Sequence, residues 1–599
     1  MFWDSFPRLL GYMTAYFGVS SANTDWSQTI MNRAAGALSL RGPLHRFDAN
    51  PVAIVAVLGP GAPLTTERSD SSAWLLGDAF EGDVRLDAAA LVHRIAVHDP
   101  TAAQGLNGFY LAVISGADHS VTLAGDVLGL LPLFVCLHTN GVLFASEPGL
   151  LRQSLGSPSD PDLVGLASIL LQGHAANRRT PWRSIRRPDP GECVRIAPDG
   201  RLTFVRANSL LLRHTASLGL EEASEAGWRL LRAAARRLAS NTVMPGLLLS
   251  GGLDSRLVAA AMSEEDVTSQ AIISGSSTDI EVSCATGVAK HLRMPILRVD
   301  ADYSKFPQLA EELAEREGGV FTPYDHSWVS ALRPGSPVGD RLFSGLGGDA
   351  VLGGSTLPFG WDAERQAYVF ENYWLKHCAG YGFDPQTCGE LLVGPDAADA
   401  VGVAMTELRQ RFDAIDGESF QRVWLWSITH RVRWHVVPFA WRLAPVAWPC
   451  MPFADRDVLT FAATLPLEVL RERRLQLSML RREAPALARL PLDRNSYDDT
   501  PISPPWHWPL VRRWRAFRRR TGREHRTYYR TFDLNHAGWQ AIRRLVPASA
   551  GTLSGFDRAR ALEILPAADA PIHLADGIVD AARYKILLTL LLTDRINDC

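Results

Sequence analysis

Two stretches of this chain set hydroxyls, glycines and carboxylates at spacings suited to phosphate chemistry. The first is Leu247-Leu-Leu-Ser250-Gly-Gly-Leu-Asp254-Ser255. Here an apolar run breaks at Ser-Gly-Gly and restarts in a helical pattern through Leu253, Leu257, Val258 and Ala261. That reads as a buried strand, a tight turn and a helix N-terminus. Gly251 and Gly252 let the backbone approach an anion, and the N–H groups and positive dipole end of the helix hold it. A Walker A loop is excluded, because Gly-x4-Gly-Lys-Ser/Thr is absent and no lysine stands nearby. A glycine-rich strand–helix turn without any ligand is the plain alternative.

The second stretch is Phe343-Ser344-Gly-Leu-Gly-Gly-Asp349-Ala-Val-Leu-Gly353-Gly354, again an apolar strand end followed by a glycine-rich turn and a carboxylate. In an open α/β sheet ligands sit at the carboxyl ends of the strands, so one nucleotide can touch both loops. Asp254 and Asp349 then offer two hard oxygen ligands for a magnesium ion bridging phosphates. Either aspartate alone would read more simply as a helix cap. Two such loops on two strands of one sheet favour the ligand reading.

The elements that must position these loops follow from the pattern around them. From 246 onward strand 246–249, helix 253–262, strand 270–273, a helix near 281–292, strand 295–299 and strand 341–343 alternate, which implies a mostly parallel sheet covered on both faces. Residues 1 to about 205 are β-rich: Val52–Leu58, Phe109–Ile114, Val121–Ala124, Leu133–Leu137 and Val142–Ala145 are short apolar runs, and Asn140-Gly141 is a hairpin signal. The Ala-, Leu- and Arg-rich segment from Ser209 to Thr242 reads as helix, and beyond about 360 the chain reads as mainly helical and tryptophan-rich. At 599 residues two domains are expected, 1–208 and 209–599.

Bulk properties exclude several classes. A net charge of −3 gives no general case for nucleic acid or an acidic membrane surface. Seven scattered cysteines, with no CxxC pair and no signal peptide, point to a reducing cytoplasm without disulfides or structural zinc. No window approaches a transmembrane span. Lysine occurs only at Lys290, Lys305, Lys376 and Lys585, which limits the choice of a catalytic lysine. No histidine cluster has metal-ligand spacing, and His326 and His435 read as structural or supporting residues.

The Ser250–Ser255 stretch resembles the pyrophosphate loop of the ATP pyrophosphatase families, which cleave ATP to AMP and pyrophosphate. The two stretches together resemble the synthetase domain of the asparagine synthetase superfamily. The first half agrees: Leu106-Asn-Gly-Phe-Tyr-Leu-Ala-Val-Ile, Gly125-Asp-Val-Leu-Gly-Leu-Leu-Pro-Leu-Phe and Asn140-Gly-Val-Leu-Phe-Ala-Ser-Glu are similar to consecutive strands of that family's glutaminase domain. The resemblance implies an α/β fold: an N-terminal nucleophile (Ntn) glutaminase-like α/β/β/α domain, then an ATP-pyrophosphatase-type α/β synthetase domain with a helical C-terminal part. It implies ATP and magnesium as cofactors and activation of a carboxylate as an acyl-adenylate, which an amine converts to an amide. It places Ser250, Gly251, Gly252 and Ser255 around pyrophosphate, Leu248, Ile273, Ser274 and Gly345 around adenosine, and Asp254 and Asp349 on the metal.

Departures from the family pattern narrow the reading. An active glutaminase of this kind needs a cysteine directly after Met1; here Phe2 stands there, and no cysteine precedes Cys136. The first domain is therefore expected to be degenerate. In the second loop asparagine synthetases carry Glu and β-lactam synthetases a catalytic Tyr where this chain has Leu346, which cannot transfer protons. The branch that remains is the lasso-peptide cyclases, which join an Asp or Glu side chain of a precursor peptide to the core N-terminal amine. That implies a precursor peptide as substrate, with a leader peptidase and a leader-recognition protein as partners. A β-lactam-synthetase-like enzyme for a small substrate is the alternative, and a catalytically dead scaffold a third reading.

Three further features stay open. Relatives often use a lysine near what is here Leu492-Asp-Arg494-Asn-Ser-Tyr; Arg494 reads either as the cation neutralising adenylate or pyrophosphate, or as a surface charge. Residues 511–530 hold nine arginines and one glutamate, a solvated helix face or a dock for an acidic leader peptide. The tryptophans at 424, 426, 434, 441 and 448 read as core, or else as the wall of a peptide pocket.

Overall fold

The short apolar runs of the first half become the strands of two antiparallel sheets in the computed structural model. It describes residues 14–98, 105–156, 160–210, 212, 215–321, 326–494, 498–522, 533–548, 553–572 and 578–593. Phe2 therefore lies outside the described residues, as do 495–497 and the second part of the arginine-rich segment, 523–530.

One sheet has six strands, ordered Ile185–Arg186, Phe134–His138, Gly141–Ala145, Ala15–Ser20, Val52–Val57 and His45–Ala49. The expected hairpin is present: Gly141–Ala145 pairs antiparallel with Phe134–His138 across the 139–140 turn. The second sheet runs Leu202–Arg206, Glu192–Ile196, Val121–Gly125, Asn107–Ser115, Ser72–Glu81 and Leu64–Glu67, with Val84–Arg85 added beside Ser72–Glu81. Their inner faces meet through pairs such as Tyr16 against Trp74, with ring centroids 5.6 Å apart. The Thr24–Ser39 helix covers the first sheet and the Ala88–His98 helix the second. The layering is thus α/β/β/α, as expected of an Ntn amidotransferase-like domain.

The next helix is shorter than its composition suggests. It runs Leu220–Leu238, and the described residues before Gly219 are not helical. Gly219 holds extended backbone angles, and Glu221 and Glu222 then occupy the positive first turn, with Arg236 and Arg237 at the negative end. One face packs on the Leu253–Glu264 and Arg474–Glu483 helices.

The second half is built on a parallel sheet ordered Ile296–Val299, Gln270–Ser274, Gly246–Leu248, Arg341–Phe343 and Trp448–Cys450. The first four strands match the sequence expectation. The fifth was not anticipated, because three residues centred on Pro449 carry no strand signal. Its position explains the proline: it is an edge strand, where a missing N–H is tolerated. Sheet order also defines a switch point. The chain steps outward from Gly246–Leu248 to Ile296–Val299, then returns to place Arg341–Phe343 on the other side. The crevice above Gly246–Leu248 and Arg341–Phe343 is where such sheets bind ligands.

The region after 360 is mainly helical, with two π-helical segments, Trp374–Cys378 and Ser427–Val436. Trp424, Trp426, Trp434 and Trp448 are fully buried core residues and Trp441 is nearly so.

Buried ion pairs fasten the two halves. Asp78 binds Arg341 and Glu147 binds Arg316 across them, and Glu147 also binds Arg41 of its own half at 2.7 Å. Burial alone would raise the Glu147 carboxyl, but the two guanidiniums hold it down at about 2. Phe109 of the second sheet packs on Trp448 of the parallel sheet at 5.4 Å. Among the described residues no helix is long and apolar enough to cross a membrane.

Candidate active site

Both glycine-rich loops open into one cavity of about 650 Å³ at the switch point. The first loop is closed by its own serines. Ser250 N–H donates to Ser255 Oγ at 3.1 Å, the two hydroxyls lie 2.9 Å apart, and Gly252 N–H donates to Ser250 Oγ at 3.2 Å. The Leu253–Glu264 helix starts there, and the first-turn N–H groups of a helix have no intrahelical partner. A phosphate is the natural occupant of such an end.

The second loop is pressed against the first. A Cβ on Gly345 would lie 2.5 Å from Ser255 N and 2.8 Å from the Asp254 carbonyl carbon. A Cβ on Gly348 would lie 2.7 Å from Asp254 Oδ1. Glycine is required at both for space. Gly347, at φ 78°, needs glycine for its backbone as well. This packing brings the two expected carboxylates into one cluster.

Asp254 Oδ1 accepts from Gln476 Nε2 at 2.7 Å and from Arg473 Nη2 at 2.5 Å. Gln476, fully buried, also donates to Gly348 O at 3.0 Å and so ties both loops together. Asp349 accepts from Ser355 Oγ at 2.9 Å. Desolvation, with the charge of Asp349, pushes the Asp254 carboxyl above its ordinary range while Arg473 pulls the other way. Glu472 and Arg473 both sit in the left-handed region, at φ 58° and 61°. Such residues cost about 1–3 kcal/mol each and mark positions the surroundings over-determine.

Two carboxylates facing one space, with only oxygen donors and a mutual repulsion, fit a magnesium ion. Among the described residues no group of three His, Cys, Asp or Glu could hold a metal. A cation at Asp254 and Asp349 would have to take its other ligands from phosphate and water, which is the habit of magnesium.

Most of the expected site is brought together. Leu248, Ser250, Asp254, Ser255, Ser274, Gly345 and Asp349 line the cavity, with Leu346 beside them. Three expected residues support it from behind. Ile273 is buried in its strand; Gly251 packs against Asp493 and Cys284, where a Cβ would meet each at 2.9 Å; Gly252 caps the helix. Arg494, read either as a site cation or as a surface charge, lies apart from the cavity lining. Its guanidinium turns into its own loop, donating to the carbonyls of Leu492 and Thr500 and lying 3.7 Å from Asp498. The neighbouring Asp493 N–H does reach the site's edge, donating to Gly251 O at 3.0 Å.

The cation that meets the carboxylates is Arg473. It sits in an Arg-Glu-Arg-Arg run that looks like ordinary surface charge, so nothing in the sequence marked it. The far wall was also unforeseen: His377, Ser427, Arg431 and His435 come from the two π-helical segments, and Tyr381 from the short 3-10 helix Ala379–Tyr381 that follows the first. Burial pushes the His377 and His435 imidazoles well below their ordinary range, so both are neutral. His326 is structural: it stacks on Trp539 at 5.2 Å, and burial lowers it to about 3.

The described part of the arginine-rich segment forms the Trp508–Arg520 helix. Its outward face is apolar, with Leu510 64%, Trp514 56% and Phe517 60% exposed, flanked by arginines. The plain solvated charged face expected there is thus only part of the surface.

A family model for the glutamine amidotransferase domain matches residues 77–205, and one for asparagine synthase matches residues 228–391, which include both glycine-rich loops. No curated protein matches. Among solved structures, glutamine phosphoribosylpyrophosphate amidotransferase from B. subtilis complexed with ADP and GMP aligns at 13% identity over 48% of this chain and 66% of that one, with a TM-score of 0.21. The allosteric regulatory enzyme of purine biosynthesis aligns at 14% over 49% and 61%, also at 0.21. This chain thus spans less than two thirds of either. A glutamine amidotransferase domain is thus followed, in one chain, by an asparagine synthase domain that carries both glycine-rich loops.

Proposed function

We propose that this protein is an AMP-forming macrolactam synthetase that closes a ring in a precursor peptide, as lasso-peptide cyclases do. The observation that carries the ligase reading is the junction of the two loops at the switch point, with Asp254 and Asp349 in one cluster beside Arg473. The Ser250–Ser255 loop would hold the pyrophosphate of ATP, and Leu248 and Ser274 its adenosine. Asp254 and Asp349 would hold magnesium, which supplies charge neutralisation on the phosphates. Arg473 keeps Asp254 oriented and adds positive charge where pyrophosphate departs.

The substrate carboxylate attacks the α-phosphorus, giving an acyl-adenylate and pyrophosphate. The peptide's own amine then attacks the acyl carbon, and AMP leaves. Holding both ends of one molecule makes that attack effectively unimolecular. Leu346 at the cavity edge offers no proton-transfer group, which favours a peptide over the small substrates of the β-lactam-synthetase alternative.

No ammonia source is assigned to the first domain. The five described cysteines that are free, Cys136, Cys193, Cys284, Cys388 and Cys450, are all buried, and desolvation pushes each thiol up. None is poised as a thiolate nucleophile. ATP–pyrophosphate exchange tests the reading: exchange dependent on a peptide with a free N-terminal amine and an Asp or Glu supports it. Exchange driven only by small amino-acid derivatives selects the alternative, and none with any carboxylate the scaffold.

A further inference from the structure

The cavity has two chemically different walls. The sheet-end wall holds the loops and is rich in carboxylates: Asp254, Asp279, Glu281, Asp300 and Asp349 all line it. The helical wall carries one cation, Arg431, the sole Arg or Lys among the described lining residues. No carboxylate among the described residues pairs with it. Its contacts are the Tyr381 ring, 3.9 Å from the guanidinium carbon, and His435 Nε2 at 3.4 Å. A guanidinium stacked on an aromatic face keeps its fork edge free for a planar anion.

The surroundings are prepared in the same sense. His377 Nε2, Ser427 Oγ and Thr356 Oγ1 are buried without a hydrogen-bond partner, and all three residues line this cavity. Buried polar atoms of this kind, facing a cavity, are placed to hydrogen-bond a ligand that enters it. Ser427, Arg431 and His435 share one face of a π-helical segment, and His377 belongs to the other; such widened turns cluster at functional sites. The wall also abuts the reacting loop: Val432 Cγ1 would lie 3.6 Å from a Cβ on Gly347.

We propose that Arg431, stacked on Tyr381 and flanked by His377, Thr356 and Ser427, anchors a carboxylate of the acyl substrate. The site takes the acidic side chain through the guanidinium, with the neighbouring donors beside it and a carboxylate lone pair left free to attack phosphorus. The inference rests on the ligase reading, since it assigns the substrate side of that same cavity.

The test is equilibrium binding to the full chain in the presence of magnesium and the ATP analogue with a methylene between the α- and β-phosphates. The probes are N-acetyl-Gly-Gly-Glu-Gly-amide and its Gln counterpart, which differ by one carboxylate. Wild type should prefer the Glu peptide by about tenfold. Arg431→Met should erase that preference while leaving analogue affinity unchanged, and Arg431→Lys should keep part of it. Arg431→Lys also decides the matter should the Met variant fail to fold. A preference undiminished in Arg431→Met, or in Arg431→Lys if only that folds, overturns the proposal. So does a wild type without preference, or a variant whose main defect is in binding the analogue. If wild type binds the Glu peptide selectively but never the analogue, the anchor stands and the ligase reading falls.

Discussion

Gly345→Ala is the sharpest probe of how the two loops are assembled. The added methyl would sit 2.5 Å from Ser255 N, where ordinary contact begins near 3.4 Å, so the loops must part by about 0.9 Å. The atoms in the way are backbone at the start of a helix, which cannot swing aside like a side chain tip. Overpacking of this kind costs about 1–3 kcal/mol of stability, a loss that a protein of this size can bear. Catalysis is less tolerant: a misplacement near 1 Å between groups that position reactants lowers rate by about 100-fold. We expect Gly345→Ala to fold, with a melting temperature a few degrees lower, and to lose about two orders of magnitude in ATP–pyrophosphate exchange. Exchange is measured at saturating magnesium, so weaker metal binding does not mask the effect. An Ala variant within twofold of wild type would refute the claim that the loop junction positions the reaction.

Other substitutions test separate parts. Asp254→Asn and Asp349→Asn should each abolish AMP formation with the fold intact, since a lost magnesium ligand leaves several kcal/mol of phosphate charge uncompensated; near-normal turnover at ordinary magnesium would remove the metal assignment. Arg473→Met should lower turnover by at least tenfold while Arg494→Ala stays within about twofold, and the reverse order would restore Arg494 as the cation of the site. Glu147→Gln removes the buried carboxylate that both Arg316 and Arg41 contact and should cost about 3–5 kcal/mol at neutral pH. Because the native carboxyl titrates at about 2 against an ordinary 4.5, its contribution is full above pH 4.5 and is lost as pH falls toward 2. The gap between wild type and variant in denaturant titrations should therefore close over that range.

Much of the site was legible because its parts are local. Ser250-Gly-Gly-Leu-Asp254-Ser255 and Ser344-Gly-Leu-Gly-Gly-Asp349 are contiguous, each following an apolar run, and strand–turn–helix punctuation fixes where such loops go. What escaped is what the fold assembles from afar. Arg473 and Gln476 reach Asp254 from 219 and 222 residues away, on a kinked helix start that no periodicity signals. Arg494 drew attention by its place in a family pattern, yet its loop carbonyls Leu492 and Thr500 capture the guanidinium. The helical wall with Arg431 depends on π-helical turns, whose side-chain phase differs from the 3.6-residue period used to read faces. The Trp448–Cys450 strand was hidden by Pro449, which reads as a breaker until its edge position is known.

The most direct measurement is mass spectrometry with nucleotide analysis on one reaction. A precursor peptide, its leader removed by a partner protease, is incubated with this protein, magnesium and ATP. The expected product is a peptide lighter by one water, carrying a ring that resists exopeptidase, with one AMP and one pyrophosphate released per ring. ADP and phosphate as products would contradict the adenylation mechanism. A peptide that stays linear while a small amino-acid derivative is converted would contradict the macrolactam claim itself.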